Sequence, residues 1–146
     1  MKKIILVENQ NQFDKHLDIR KEVFCLEQKI DVEIEIDKYD QKKDSCDHFL
    51  IYLGDEAVGT IRCIKLNEKE IKMGRFCVLE KFRKSGLGSF AIEYIKEFYD
   101  KHGFEKILVG AQLTAYGFYK KCGFSPIGDE FIEAGIPHIH MQLNLK

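Results

Sequence analysis

The sequence predicts an α+β fold: a mixed, mostly antiparallel central sheet of about seven strands with flanking helices. Three observations carry the prediction. Residues 48–79 hold three strand-like segments joined by very short turns, as in an antiparallel meander. After Gly86 the apolar period changes from two to about 3.6, and a short, continuously apolar segment follows, which reads as strand, helix and parallel strand. Two last strand-like segments close the chain around Ala134-Gly135-Ile136-Pro137.

In order, Lys3 to Val7 is a first strand. Asn9 or Asn11 can cap a helix that carries Phe13, Leu17, Val23 and Phe24 toward a core and runs to about Gln28. Asp31 to Asp40 alternates acid and apolar residues. Its acid density predicts an exposed, partly irregular crossing, continued by the polar run from Gln41 to Asp47. The meander follows as His48–Leu53, Ala57–Leu66 and Glu70–Leu79, turning at Gly54-Asp55-Glu56 and Asn67-Glu68-Lys69. In the next helix Leu87, Phe90, Ala91, Tyr94, Ile95 and Phe98 share a face, and His102-Gly103 ends it. Lys106 to Val109 is a buried parallel strand. Thr114 can cap a short helix that stops at Gly123, and Pro126–Ile132 pairs with His138–Leu145.

The 146 residues are expected to form one domain, 1–146, with a proper core. A net charge of −1 implies no general attraction to nucleic acid. No apolar run reaches membrane-span length, and Met1 to Glu8 is too short for a signal peptide. The five cysteines, Cys25, Cys46, Cys63, Cys77 and Cys122, are odd in number and form no Cys-x-x-Cys pair. They suggest reduced thiols in a cytoplasm rather than a disulfide frame or a zinc site. The expectation is a cytoplasmic chain without a metal and without nucleic-acid or membrane partners.

The chemistry concentrates between Gly74 and Phe124. Gly74-Arg75-Phe76-Cys77-Val78-Leu79 leads into Arg83-Lys84-Ser85-Gly86-Leu87-Gly88 and then a helix. Backbone N–H groups at such a helix start suit a bound diphosphate. The loop lacks the Gly-Lys-Ser/Thr ending of a P-loop and the third glycine of a dinucleotide fingerprint, and its plainer reading is a turn that starts a helix. The antiparallel turns at Gly54 and Asn67 also argue against a nucleotide-binding fold with a parallel sheet throughout.

With Ala115, Phe118, Tyr119, Gly123 and Phe124 following about thirty-five residues later, the chain resembles the GNAT-type N-acetyltransferases. These carry an Arg/Gln-x-x-Gly-x-Gly/Ala loop after their fourth strand and an Ala-x-x-Phe-Tyr-x-x-x-Gly-Phe element after their fifth. The resemblance covers essentially the whole chain in element order. It is strongest to the small ElaA/YjcF-like branch, through Arg20-x-x-Val23-Phe24-x-x-Glu27-Gln28, Asp37, Gly74-Arg75, Gly110-Ala111-Gln112 and Gly135-Ile136-Pro137-His138-Ile139. Lys84 departs from the family pattern, which has glycine directly after the loop arginine. A side chain there denies the position a free choice of left-handed backbone, while its charge can face a phosphate.

The resemblance implies acetyl-CoA as co-substrate and a primary amine of a small molecule or peptide as acceptor. Transfer would be direct, within a ternary complex, and homodimers are common in the family. It implies a splayed strand 4/strand 5 pair, with the pantetheine arm on the edge of Phe76, Cys77 and Val78. The diphosphate would lie on Arg83, Lys84, Ser85, Gly86, Leu87, Gly88 and Ser89, and Gln112 would face the arm. The backbone N–H of Val78 would stabilise the oxyanion, and Tyr119 would protonate the leaving thiolate while also touching the cofactor. Glu27 is a candidate base, and Arg20, Asp37 and His138 are candidate acceptor-side residues.

Each has a plainer reading: Tyr119 a core aromatic, Glu27 a solvated helix-end carboxylate, Asp37 a loop acid, His138 a partly exposed strand histidine, Arg20 a surface ion pair. The acids of residues 31–40 would draw a cationic amine, or form a solvated loop neutralised by Lys38, Lys42 and Lys43. Cys77 reads as a core-packing residue, and Cys122 as the residue before a helix-ending glycine. The alternative function is a CoA- or acyl-CoA-binding sensor or interaction module with weak or no catalysis.

Overall fold

The computed structural model describes residues 1–41 and 44–146. Its seven strands are β1 (Lys2–Leu6), β2 (Cys46–Leu53), β3 (Glu56–Lys65), β4 (Glu70–Val78), β5 (Lys106–Gln112), β6 (Ser125–Glu133) and β7 (Ile136–Asn144). They form one sheet in the order β1-β2-β3-β4-β5-β7-β6. Only β4 and β5 pair in parallel; the other neighbours are antiparallel. The helices are α1 (Gln10–Arg20), continued by a π-helical segment Lys21–Glu27, α2 (Val32–Glu35), α3 (Leu87–Lys101) and α4 (Tyr116–Lys121).

Alternation along β2 sends successive side chains to opposite faces of the sheet. Phe49 and Ile51 join the larger core with Leu87, Ala91, Ile92, Ile95 and Tyr99 of α3. Leu50 joins a smaller core with Ile19, Val23, Phe24 and Cys77, under α1 and the π-helical segment. The sheet is thus covered by α3 on one side and by the N-terminal helices on the other.

The parallel pairing of β4 with β5 runs only from Glu70↔Lys106 to Met73↔Val109. Beyond it, β4 stays paired to β3 as far as Val78↔Gly59, and β5 stays paired to β7 as far as Gln112↔His138. The two strands diverge and leave a gap between their upper halves. Between Thr60↔Cys77 and Arg62↔Gly74, two steps on β3 face three on β4, so β4 carries one extra residue. Such a bulge bends its strand. Arg75, inside it, has φ +47°. Gly59, opposite Val78 just past the bulge, must be glycine, because a Cβ there would lie 2.6 Å from Cys77 O.

Several elements differ from the sequence expectation. The N-terminal helix changes from α to π after Arg20. Residues 31–41 are exposed at most positions, as expected, but regular rather than irregular: α2 and a 3₁₀ turn at Lys38–Gln41 form there, and Glu35 and Asp40 are buried. Thr114 does not cap α4; it lies in a 3₁₀ turn, and Ala115 precedes the helix without a side-chain cap. On α3, Phe90 is 36% exposed, while Ile92 and Tyr99 are buried with Leu87, Ala91 and Ile95, so the covered stripe is rotated from the expected face. Strands β5 and β7 extend further than expected, and the β6–β7 turn is only Ala134-Gly135, both at positive φ.

Candidate active site

The gap opens into a cleft of about 700 Å³, within the usual range for small-molecule sites. Its walls come from β4, β5, the end of the π-helical segment, α2 and the β6–β7 turn. Phe76, Cys77, Val78, Arg83, Gln112, Tyr119, Asp37 and His138 all line it.

In an extended strand a residue's N–H and C=O point to the same side. Leu79 N–H donates to Val58 O on β3 at 2.8 Å, so the polar groups of Val78 point the other way, into the gap. Arg83 bears this out by donating from Nε to Val78 O at 2.8 Å. Cys77 is buried, with Sγ 3.3 Å from Thr60 Oγ1, and burial pushes its thiol up to about 12. It is a thiol, not a thiolate, at neutral pH.

The Arg83–Ser89 loop closes onto α3. Gly86 has φ +80° immediately before the helix. Lys84 has φ +65°, so the position is left-handed despite its side chain, at a cost of about 1–2 kcal/mol. Ser85 Oγ donates to Phe82 O at 2.6 Å and holds the loop's curl.

The end of the π-helical segment reaches both walls of the gap. Glu27 accepts a two-pronged pair from Arg83 at 2.7 and 2.8 Å. That hydrogen bonding lowers its pKa, so Glu27 is a weak base while the pair stands. The next residue, Gln28, accepts from Gln112 Nε2 at 2.9 Å.

Tyr119 is buried against Phe76, Phe118 and Phe124, and burial raises its pKa. His138 is buried rather than partly exposed and stacks on Phe131. Its Nδ1 lies 2.6 Å from Ile136 O; a carbonyl only accepts, so Nδ1 carries a proton, and in the neutral ring the lone pair falls to Nε2.

Arg20 is no surface residue. It is wholly buried and donates from Nε to Glu35 at 2.9 Å and from Nη1 to Asp40 at 2.7 Å. Arg62 pairs with Asp37 at 2.7 Å and Asp40 at 3.3 Å. Arg75 pairs with Glu35 at 2.9 Å and Asp37 at 3.3 Å. Arginines from α1, β3 and β4 therefore pair with the acids Glu35, Asp37 and Asp40; Lys38 makes no ion pair among the described residues, and Lys42 and Lys43 lie outside them. Burial opposes the charge on Asp40, but hydrogen bonds from His48 and Arg20 outweigh it and hold its carboxyl far below the usual range. For Glu35 burial prevails, and its pKa is raised.

The sequence reading missed the roles of Gln28, Arg62, Arg75, Glu35 and Asp40. A signal was available: arginines inside apolar segments need buried counter-charges, and the acids of residues 31–40 were the only dense supply. Among the described residues, no cluster of His, Cys, Asp and Glu is placed to hold a metal ion, and no helix is long and apolar enough to cross a membrane.

A sheet divided at a bulged β4, with a helix-start loop beside the division, defines an acyltransferase of the kind the motifs resemble. The chain belongs to the GNAT acetyltransferase family: the family's acetyltransferase (GNAT) domain matches residues 21–145. It is 31% identical over 140 residues to the uncharacterized N-acetyltransferase YjcF of Bacillus subtilis (strain 168), covering 95% of this chain and 97% of that one. The crystal structure of Escherichia coli ElaA superposes with a TM-score of 0.86 at 27% identity, covering 98% of this chain and 99% of that one. An aminoglycoside 6'-N-acetyltransferase complexed with coenzyme A shares the fold, with a TM-score of 0.78 at 16% identity, over 99% of this chain and 97% of that one.

Proposed function

We propose that the chain is a cytoplasmic single-domain enzyme that moves an acetyl group from acetyl-CoA to a primary amine of a small molecule or peptide. The observation that carries this is the free edge of β4 beyond Met73, running beside the gap into the Arg83–Ser89 loop. The pantetheine amides pair with Phe76, Cys77 and Val78 as an added strand would. The diphosphate rests on the N–H groups of Arg83, Lys84, Ser85, Gly86, Leu87, Gly88 and Ser89 at the start of α3. Its charge draws Arg83 away from Glu27 and Val78 O, which frees a strand acceptor for the arm and restores basicity to Glu27. Gln112 faces the arm from β5.

The amine nitrogen attacks the thioester carbonyl, and the Val78 N–H stabilises the oxyanion that forms. The carbon–sulfur bond then breaks, and Tyr119 gives its phenolic proton to the departing thiolate. The amine proton leaves to Glu27 or to Nε2 of His138, directly or through water. Arg20 braces the acceptor wall from behind, and Asp37 lines it. No acyl-enzyme forms, in keeping with a protonated Cys77.

The test is acetyl transfer by the purified chain across a library of amines, with Tyr119→Phe beside it. Turnover should fall by about 10²–10⁴-fold in the variant, with CoA binding retained. Tight CoA binding without turnover of any amine would instead mark a sensor.

A further inference from the structure

On the assumption that the cleft accepts an amine, we infer that this amine also carries a carboxylate, held at the cleft floor by Lys72 and Arg62. Lys72 of β4 lines the cleft and is half-buried. Its partners across the sheet are Ile64 on β3 and Leu108 on β5, both apolar. Among the described residues it makes no ion pair. Glu70, two residues away on the same strand face, has its carboxylate turned to Asn67 Nδ2 at 2.9 Å. A half-buried lysine whose stem lies between two apolar neighbours brings to the cleft a positive charge that no carboxylate matches among the described residues, and an anionic ligand would supply the match.

Arg62 gives the second, independent sign. It is 4% exposed and lines the same cleft, and its Nε–H is buried without a hydrogen-bond partner among the described residues. The register sets Arg62 opposite Gly74 and Ile64 opposite Lys72, so Arg62 and Lys72 are diagonal neighbours on one face. Their roots are about 7–8 Å apart, within reach of two long side chains.

The charge balance selects the kind of anion. Arg20, Arg62 and Arg75 are matched by Glu35, Asp37 and Asp40, so these acids are committed to arginines and do not recruit a polyamine. Glu133, the other acid in the lining, sits at the exposed end of β6. Among the described residues one unmatched cation of the lining, Lys72, remains, which suits a monoanionic carboxylate better than a dianionic phosphate.

The experiment reads binding, not catalysis. The full chain, alone and saturated with CoA, is titrated with N-acetylglycine, its neutral amide N-acetylglycinamide, the cation N-(2-aminoethyl)acetamide, and inorganic phosphate. N-acetylglycine should bind about tenfold more tightly than the amide and the cation, and more tightly than phosphate. Lys72→Met should bring acid and amide to within about twofold of each other, while Lys72→Arg, which restores the charge, keeps the preference. Equal binding of acid and amide, preference for the cation or for phosphate, a preference that survives Lys72→Met, or no binding of any probe would overturn the inference. A carboxylate preference without acetyl transfer to any amine would sink the transferase reading and leave this one standing.

Discussion

Tyr119 stands among Phe76, Phe118 and Phe124, and burial there raises the pKa of its phenol. The hydroxyl stays protonated across the neutral range, as a proton donor requires, but giving that proton to a thiolate is uphill unless both move together. The kcat profile should therefore show no loss assignable to phenol ionisation below about pH 10. His16 makes a separate prediction about stability. It is wholly buried, and burial, then Arg20 and His48, push its pKa well below 6.5. Its Nε2 lies 3.2 Å from Ile61 O and must donate there, which leaves Nδ1 bare and buried. The unfolded chain binds a proton below pH 6.5 that the folded chain refuses. The stabilising contribution of neutral His16 is complete above that value and is lost as pH falls toward the folded pKa. Urea unfolding between pH 7.5 and 5 should show that loss, and His16→Gln should flatten it; an unchanged slope would exclude His16 as its source. At this scale the sequence was legible where a motif named a position, as for Tyr119. It was mute where the role depends on an unsignalled neighbour: nothing in the sequence tells that Glu27 holds Arg83 or that Gln112 holds Gln28.

The segment of residues 31–41 is kept in place by charge rather than by an apolar face. Arg20 grips Glu35 and Asp40 from behind, while Arg75 donates to the carbonyl of Glu35 at 3.0 Å and to both flanking carboxylates. Removing one member leaves buried charges unpaired, so Arg20→Ala should lower the urea-derived stability by about 3–5 kcal/mol. A loss below about 1 kcal/mol would mean the network behaves as a surface pair. Arg75→Ala, at the edge of the clamp, should loosen the acceptor wall and raise KM for the amine while leaving KM for acetyl-CoA unchanged. A rise in the cofactor KM alone would contradict the division of the cleft into a cofactor side and an acceptor side. Strands and the long α3 were legible because period and turn residues mark them. This segment was not, because its acids look solvated until α1 and the sheet bring three arginines against them.

Across the whole molecule, one extra residue in β4 has the largest consequence. It turns β4 away from β5 above Met73, opens the sheet at its only parallel junction, and sets the Arg83–Ser89 loop at one end of the opening. The meander, the crossover and the closing strand pair could be read from turn lengths and periodicity. The gap itself could not, because Gly74 to Leu79 reads as an unbroken strand; family resemblance supplied that expectation, and the register accounts for it. The most direct test is residue-resolved amide hydrogen exchange with and without acetyl-CoA. Exchange should slow at Phe76–Val78 and along Arg83–Ser89, and stay unchanged on β1 and β2. Unaltered exchange in both stretches at saturating cofactor, or protection confined to the outer strands, would contradict a cofactor threaded between β4 and β5.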